Sequence, residues 1–352
     1  MSLIKDVYTL DWIQRLGSRL GDPESFQQQV LSPEWNELSF KQRARHITVS
    51  MHPFLPENFS EAADWLEENA QDFSGLPGIV FPDYIDVYGQ DHWDRSFRAL
   101  KNLTAASTSE FAIRSFLLKD LKRCLAIMTR WAEDSNEHIR RLASEGARPR
   151  LPWGQAIPSL IQDPTPAFPI LLKLLQDDSL YVRKSVANHL NDVSKTHPEL
   201  ILKLIRENKG EHPHTDWILR HASRTLLKKG HPEALSLFGF EGTDRVHVKE
   251  FKVSERVELG GELVFSFQLE VEALQKLRVD FAIDYIKKRG NRNRKVFKLS
   301  EGDVSAGRKS YARTLSFKDL TTRVHYPGHH TITLLVNGVE AASADFEVNG
   351  FS

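Results

Sequence analysis

Asp178-Ser-Leu-Tyr-Val182-Arg183-Lys-Ser-Val-Ala187 decides the fold, because its pattern recurs. An acidic start leads to a branched residue, then an arginine, then a small residue about a turn later. Asp134-Ser-Asn-Glu-His-Ile139-Arg140-Arg-Leu-Ala143 keeps the same order a little over forty positions earlier. Glu110-Phe-Ala-Ile113-Arg114 and Trp217-Ile-Leu219-Arg220 are weaker copies. A repeat of roughly 40 residues on helical spacing predicts paired helices stacked into a HEAT-type solenoid. The small residue lets neighbouring helices approach, and the branched residue fills the layer between them. The arginine beside it either salt-bridges along the stack or faces a ligand.

Outward from the repeats, the helical pattern extends over residues 1–240. Apolar residues recur at three- and four-residue steps, as in Phe111, Phe116, Leu117, Leu121, Leu125 and Met128. Stop signals punctuate it, such as Gly21-Asp22-Pro23 and Gly230-His231-Pro232. Between Arg148 and Pro169 stand six prolines, which forbid continuous helix and predict a rigid connection holding at most a short helix. From residue 243 to 352 the period changes to two. Leu263-Val-Phe-Ser-Phe-Gln-Leu269 and Leu277 to Ile286 show it best, with turns at Gly260-Gly261, Gly290-Asn291 and Asn337-Gly338. About seven strands, read as an antiparallel immunoglobulin-like sandwich, follow. The predicted fold is therefore mainly α, a HEAT-like helical-repeat solenoid at 1–240, followed by an all-β domain at 243–352.

Composition narrows the function. No apolar run approaches a membrane span. The first twenty residues alternate charge with apolar side chains, which predicts an amphipathic helix rather than a signal peptide. One cysteine, Cys124, allows neither an internal disulfide nor a cysteine-rich zinc site, and a reducing cytoplasm is the expected compartment. The 47 basic and 47 acidic residues cancel overall but not locally. Residues 1–100 carry 8 Lys/Arg against 16 Asp/Glu, whereas 101–240 carry 21 against 15. A basic middle suits a polyanion. Two differently charged surfaces without nucleic acid explain the numbers equally well.

The run Asp134-Ser-Asn-Glu-His-Ile-Arg-Arg-Leu-Ala-Ser-Glu-Gly-Ala-Arg-Pro-Arg-Leu-Pro-Trp153 resembles the AlkC family of bacterial alkylation-repair glycosylases. Tyr181 to Asp192 is similar to that family's next helix, and His221 to Gly239 to its last repeat. Part of the family carries a C-terminal immunoglobulin-like domain, as the strand-rich tail does here. The resemblance implies a double-stranded alkylated DNA substrate and excision of 3-methyladenine and 3-methylcytosine without full extrusion of the base.

That chemistry sets requirements. Alkylation at N3 makes the base cationic, so it leaves as a neutral molecule while the sugar gains oxocarbenium character. Carboxylates near the developing charge and a positioned water would assist. Neither metal nor organic cofactor is required. Glu110, Glu145 and Asp192 are the candidate catalytic acids. Glu145 lies in the strongest resembling segment, and Arg141 and Arg148 flank it at helix spacing, so an ordinary ion pair also explains it. For Glu110 the alternative is a helix N-terminal acid, and for Asp192 a solvated helix face. Trp153 can pack on a deoxyribose or a charged base, or pin the connection as a core residue.

Arg141, Arg148, Arg150, Lys184 and Lys195 are candidate phosphate contacts, with Arg148 and Arg150 favoured by their rigid loop. Arg140 and Arg183 read as structural salt bridges. Lys287, Lys288, Arg289, Arg292, Arg294 and Lys295 place six basic residues within nine positions at a predicted hairpin tip. Such a tip can reach a phosphate backbone or a minor groove, and the tail is expected to close round the duplex. A monomer without an obligate protein partner is the default. Two rivals remain: a non-catalytic HEAT adaptor that binds a peptide, and a sensor that binds alkylated DNA without cutting it.

Overall fold

The structure is a computed structural model that describes residues 3–319 and 324–350. Among the described residues, sixteen α-helices lie between Leu10 and Leu237, and eight strands between Val246 and Asn349. The chain forms two compact units. One runs through Thr196 and takes in Lys209–Ala222; the other combines His197–Asn208 with the residues from Ser223 onward. No described helix is long and apolar enough to cross a membrane.

In the first unit the repeats stack as layers. Helix Leu180–Val193 packs between helices Glu137–Gly146 and Pro213–Ala222, so the segments around Arg140, Arg183 and Arg220 are successive layers. Their starts are built alike. Arg140 donates to the carbonyls of Asp134 and Ser135, and Arg183 donates to those of Asp177 and Asp178. Arg140 also pairs with Asp177 of the next layer at 2.6 Å. The repeated arginine therefore closes its own entry loop, and at Arg140 it ties two layers together. Asn136 caps the first of these helices by accepting from the His138 amide.

The amphipathic start is a 3-10 turn, Ile4–Val7, followed by helix Leu10–Leu20, which buries Trp12, Ile13 and Leu16; Met1 and Ser2 lie outside the described residues. The proline-rich connection holds one five-residue helix, Pro158–Gln162, before helix Phe168–Lys173.

In the second unit, β1 (Val246–Val253), β3 (Glu262–Val271) and β6 (Gly307–Ser316) form one sheet in the order β1-β3-β6. The other sheet, β2-β8-β7-β4-β5, joins Arg256–Glu258, Val339–Asn349, Gly328–Val336, Gln275–Ile286 and Arg292–Val304. Alternation drives the packing: Leu263, Phe265, Phe267, Leu269 and Val271 of β3 all enter the core, where Phe265 meets Phe281 of β4 at 5.0 Å between ring centroids. The sandwich is not wholly antiparallel, because β2 pairs with β8 in parallel. Ser254 and Glu255 carry the chain from the edge of one sheet to the edge of the other without a reversal, so β2 keeps the direction of β1.

β4 is buried on both faces. Its outward residues Arg278 and Asp280 form an ion pair at 2.6 Å. Segment Leu227–Gly230 lies over this face, beside Asp280 and Leu335. A Cβ on Gly338 would stand 2.8 Å from the Gly230 Cα and 2.7 Å from Leu235 Cδ1, so both glycines permit a backbone contact that no larger residue could make.

Candidate active site

Helix Leu180–Val193 buries two stripes. Val182, Val186, Leu190 and Val193 are apolar; Ser185, His189 and Asp192 are polar, on the same four-and-three spacing. The polar stripe is bonded across the layer by the C-terminal turn of helix Glu137–Gly146 and the loop after it, with His189 Nε2 left buried without a hydrogen-bond partner among the described residues. The Ser185 hydroxyl donates to Glu145 Oε2 at 2.6 Å, and His189 Nδ1 meets the Ser144 carbonyl at 3.0 Å. Asp192 accepts from Arg148 at 2.9 Å.

From these residues a continuous charged cluster is assembled. Arg148 bridges Glu145 (2.6 Å) and Asp192 (2.9 Å). Arg141 bridges Glu110 (2.6 Å) and, more loosely, Glu145 (3.9 Å). Lys195 closes the far end on Asp192 at 2.8 Å. The three candidate acids, from three different segments, are thus linked through two guanidinium groups. All three are buried, Asp192 to 1% exposure, so it does not sit on a solvated helix face. The ion pair between Glu145 and Arg148 does form, but its arginine continues into the next layer. Burial works against the charges of Arg141 and Arg148, yet their acids outweigh it and hold both guanidiniums above the usual range: chiefly Glu110 for Arg141, and Glu145 for Arg148.

Sequence reasoning assigned Arg141 and Arg148 to phosphates. The structure turns both guanidiniums onto the carboxylates, and Arg148 is buried with both edges occupied. Lys184 and Lys195 are exposed on their helix and its exit, and Arg150 is half-buried and donates to the Asp192 carbonyl at 3.3 Å.

Two features of the site's geometry escaped the sequence. Arg114, read only as a weak repeat copy, is almost fully buried and clamps the connection: it donates to the carbonyls of Gly146 and Arg148 at 2.9 Å each, and to that of Gln155. Burial, then the neighbouring Arg148, pushes its guanidinium down to about 10, which leaves it charged at neutral pH. The other is Tyr181, 41% exposed, whose ring lies 4.8 Å beneath the Arg141 guanidinium carbon.

Trp153 is no core residue. It is 61% exposed at the third position of a turn closed by the Gly154 amide on the Leu151 carbonyl. Its φ of 63° is one that glycine adopts freely and a bulky side chain does not. The clamped loop therefore holds an indole outward on a strained backbone.

In the second unit the basic run forms the turn between β4 and β5, where Lys287, Lys288 and Arg289 are exposed beside a cavity of about 540 Å³. Arg292 and Arg294 lie back along the sheet, Arg292 on Thr331 (3.0 Å) and Arg294 on Glu340 (2.6 Å).

Stacked repeats with a buried carboxylate–arginine cluster, followed by a β-sandwich, define a HEAT-like-repeat protein. Residues 92–226 match a family model described as DNA alkylation repair enzyme, and residues 247–350 one described as the C-terminal Ig-like domain of the uncharacterised protein YhaZ. The chain is 48% identical over 356 residues to the uncharacterized protein YhaZ of Bacillus subtilis (strain 168), covering 99% of this chain and 100% of that one. It is also similar to the solved alkylpurine DNA glycosylase AlkC of Pseudomonas fluorescens, bound to DNA containing an abasic site analog. That match has 41% identity and a TM-score of 0.95, and covers 99% of this chain and 100% of the other. The chain belongs to the AlkC family of DNA alkylation-repair glycosylases with a C-terminal immunoglobulin-like domain.

Proposed function

We propose that this protein is a DNA glycosylase that hydrolyses the N-glycosidic bond of cationic N3-alkylated bases in duplex DNA, 3-methyladenine and 3-methylcytosine among them. The observation that carries this is the linked cluster of Glu110, Glu145 and Asp192. Positive charge moves from base to sugar as the bond breaks. Buried carboxylates already fixed by arginines stabilise that charge with little reorganisation. Glu145, central in the cluster, stabilises the cationic sugar and orients the attacking water; Asp192 holds that water, and Glu110 adds negative potential from the preceding layer. Water attacks the anomeric carbon, the bond to the base nitrogen breaks, the base departs neutral, and the proton shed by the water passes to a carboxylate of the cluster. Trp153 packs on the nucleoside or its sugar. Arg150, Lys184, Lys195 and the turn at Lys287–Arg289 hold phosphates of the duplex. The catalytic part is assigned to residues 1–240 and the sandwich to 243–352.

Incubating methylated duplex with the protein should release free 3-methyladenine. Glu145→Gln should lower release at least 100-fold while leaving the circular dichroism spectrum and duplex affinity intact. Release at the wild-type rate would defeat the assignment. Binding to alkylated duplex with no release by the native protein would favour a sensor, and no binding to DNA an adaptor.

A further inference from the structure

A planar, delocalised cation is already seated among the carboxylates: the guanidinium of Arg141. Its Nη1 is 2.6 Å from Glu110 and 3.1 Å from the Thr108 hydroxyl, its Nη2 is 3.9 Å from Glu145, and the group lies over the Tyr181 ring at 4.8 Å. Two carboxylates and an aromatic face are what a flat cationic nucleoside would also seek. The other two arginines cannot vacate their places so easily. Arg148 is held on both edges by buried acids, and Arg114 by three backbone carbonyls. Arg141 has a side chain 15% exposed, and the contacts described for its guanidinium are all with side chains.

Charge gives the arrangement its meaning. Three acids, Glu110, Glu145 and Asp192, are ion-paired with three cations, Arg141, Arg148 and Lys195, while Arg114 is spent on backbone carbonyls, so the paired cluster is balanced as it stands. Withdrawing Arg141 leaves one negative charge, which a cationic base or an oxocarbenium sugar restores to balance. A neutral nucleoside in the same place would leave a buried carboxylate uncompensated. We propose that Arg141 is a built-in counter-ion that occupies the cation subsite in the free protein, yields it to the cationic nucleoside, and so sets the selectivity for charged lesions. This rests on the glycosylase reading above and adds to it the residue that discriminates.

The test compares two duplexes that differ at one position, a cationic pyrrolidine abasic analogue against a neutral tetrahydrofuran one. The readout is the ratio of their dissociation constants, neutral over cationic, for wild type, Arg141→Met and Arg141→Lys. Phosphate contacts cancel in the ratio, so a merely structural or DNA-gripping Arg141 would not move it. The expected result is a ratio above one in wild type that rises by about tenfold in Arg141→Met, the order of one partly buried ion pair. Arg141→Lys should fall between, because an ammonium still competes for the acids but does not stack as a plane. A wild-type ratio above one that Arg141→Met leaves unchanged or lowers overturns the counter-ion and spares the glycosylase reading. Ratios of one in all three proteins overturn both. Should Arg141→Met lose its helical circular dichroism, Arg141→Lys decides alone: a ratio equal to or below wild type rejects the proposal.

Discussion

Trp153 is held in a backbone conformation that costs stability. A left-handed backbone costs a non-glycine residue about 1–2 kcal/mol, and here the indole regains little of it by burial, since it stands 61% exposed. Trp153→Gly should therefore melt at or slightly above the wild-type temperature while base release falls at least tenfold; a matched drop in both would mean that the ring is structural. His189 is the opposite case. Burial drives its imidazole down from 6.5 to about 4, against a weaker pull from the Ser144 carbonyl. Between those values the unfolded chain binds a proton that the folded chain refuses. The contribution of His189 is thus fully present above pH 6.5 and is lost as pH falls towards 4, by about 3 kcal/mol. Urea unfolding followed at both ends of that window should show His189→Gln losing less than wild type by about that amount.

Among elements, the connection after helix Glu137–Gly146 matters most, because one arginine from the preceding layer fixes its path. Arg114→Met would strip donors from the carbonyls of Gly146, Arg148 and Gln155. The expected cost is about 3 kcal/mol, read as a lowered denaturation midpoint, with Arg114→Lys recovering part. This element also marks where the sequence became illegible. The apolar stripe of helix Leu180–Val193 was plain from spacing, and so were its neighbours in the stack. The stripe of Ser185, His189 and Asp192 carries polar side chains at helical spacing, which a helix covered on one side would turn to water. Here neighbours cover the helix on two sides, so those side chains are enclosed. Likewise, Arg148 among prolines has every local mark of an exposed loop residue. Asp192, more than forty positions away, draws its side chain inward, and Arg114 holds its carbonyl. The parallel pairing of β2 left no local trace either, since three residues with no turn before them look like a continuation of β1.

On the scale of the molecule, the DNA contact proposed for the basic turn between β4 and β5 can be tested apart from the carboxylate cluster. Replacing Lys287, Lys288 and Arg289 with Ser should lessen the slope of log affinity against log salt by about 2–3 units on undamaged duplex. Arg294→Ser should change it less, because Glu340 already holds that guanidinium at 2.6 Å. An unaltered slope for the triple variant would remove the sandwich from DNA binding. The change of period near residue 243 was the clearest long-range signal in the sequence, yet compactness follows a different line. The second unit reaches back to Ser223 and includes His197–Asn208.

The meeting of Gly230 with Gly338 carries a lesson for anyone who would cut or graft this tail. A fragment beginning at the first strand would lose the lid from the outer side of its central strand, and leave the Arg278–Asp280 pair and Leu335 facing solvent. Transplanted into another protein, the sandwich should bring its short helical collar along. The hinge for such surgery lies ahead of Ser223, not where strands begin.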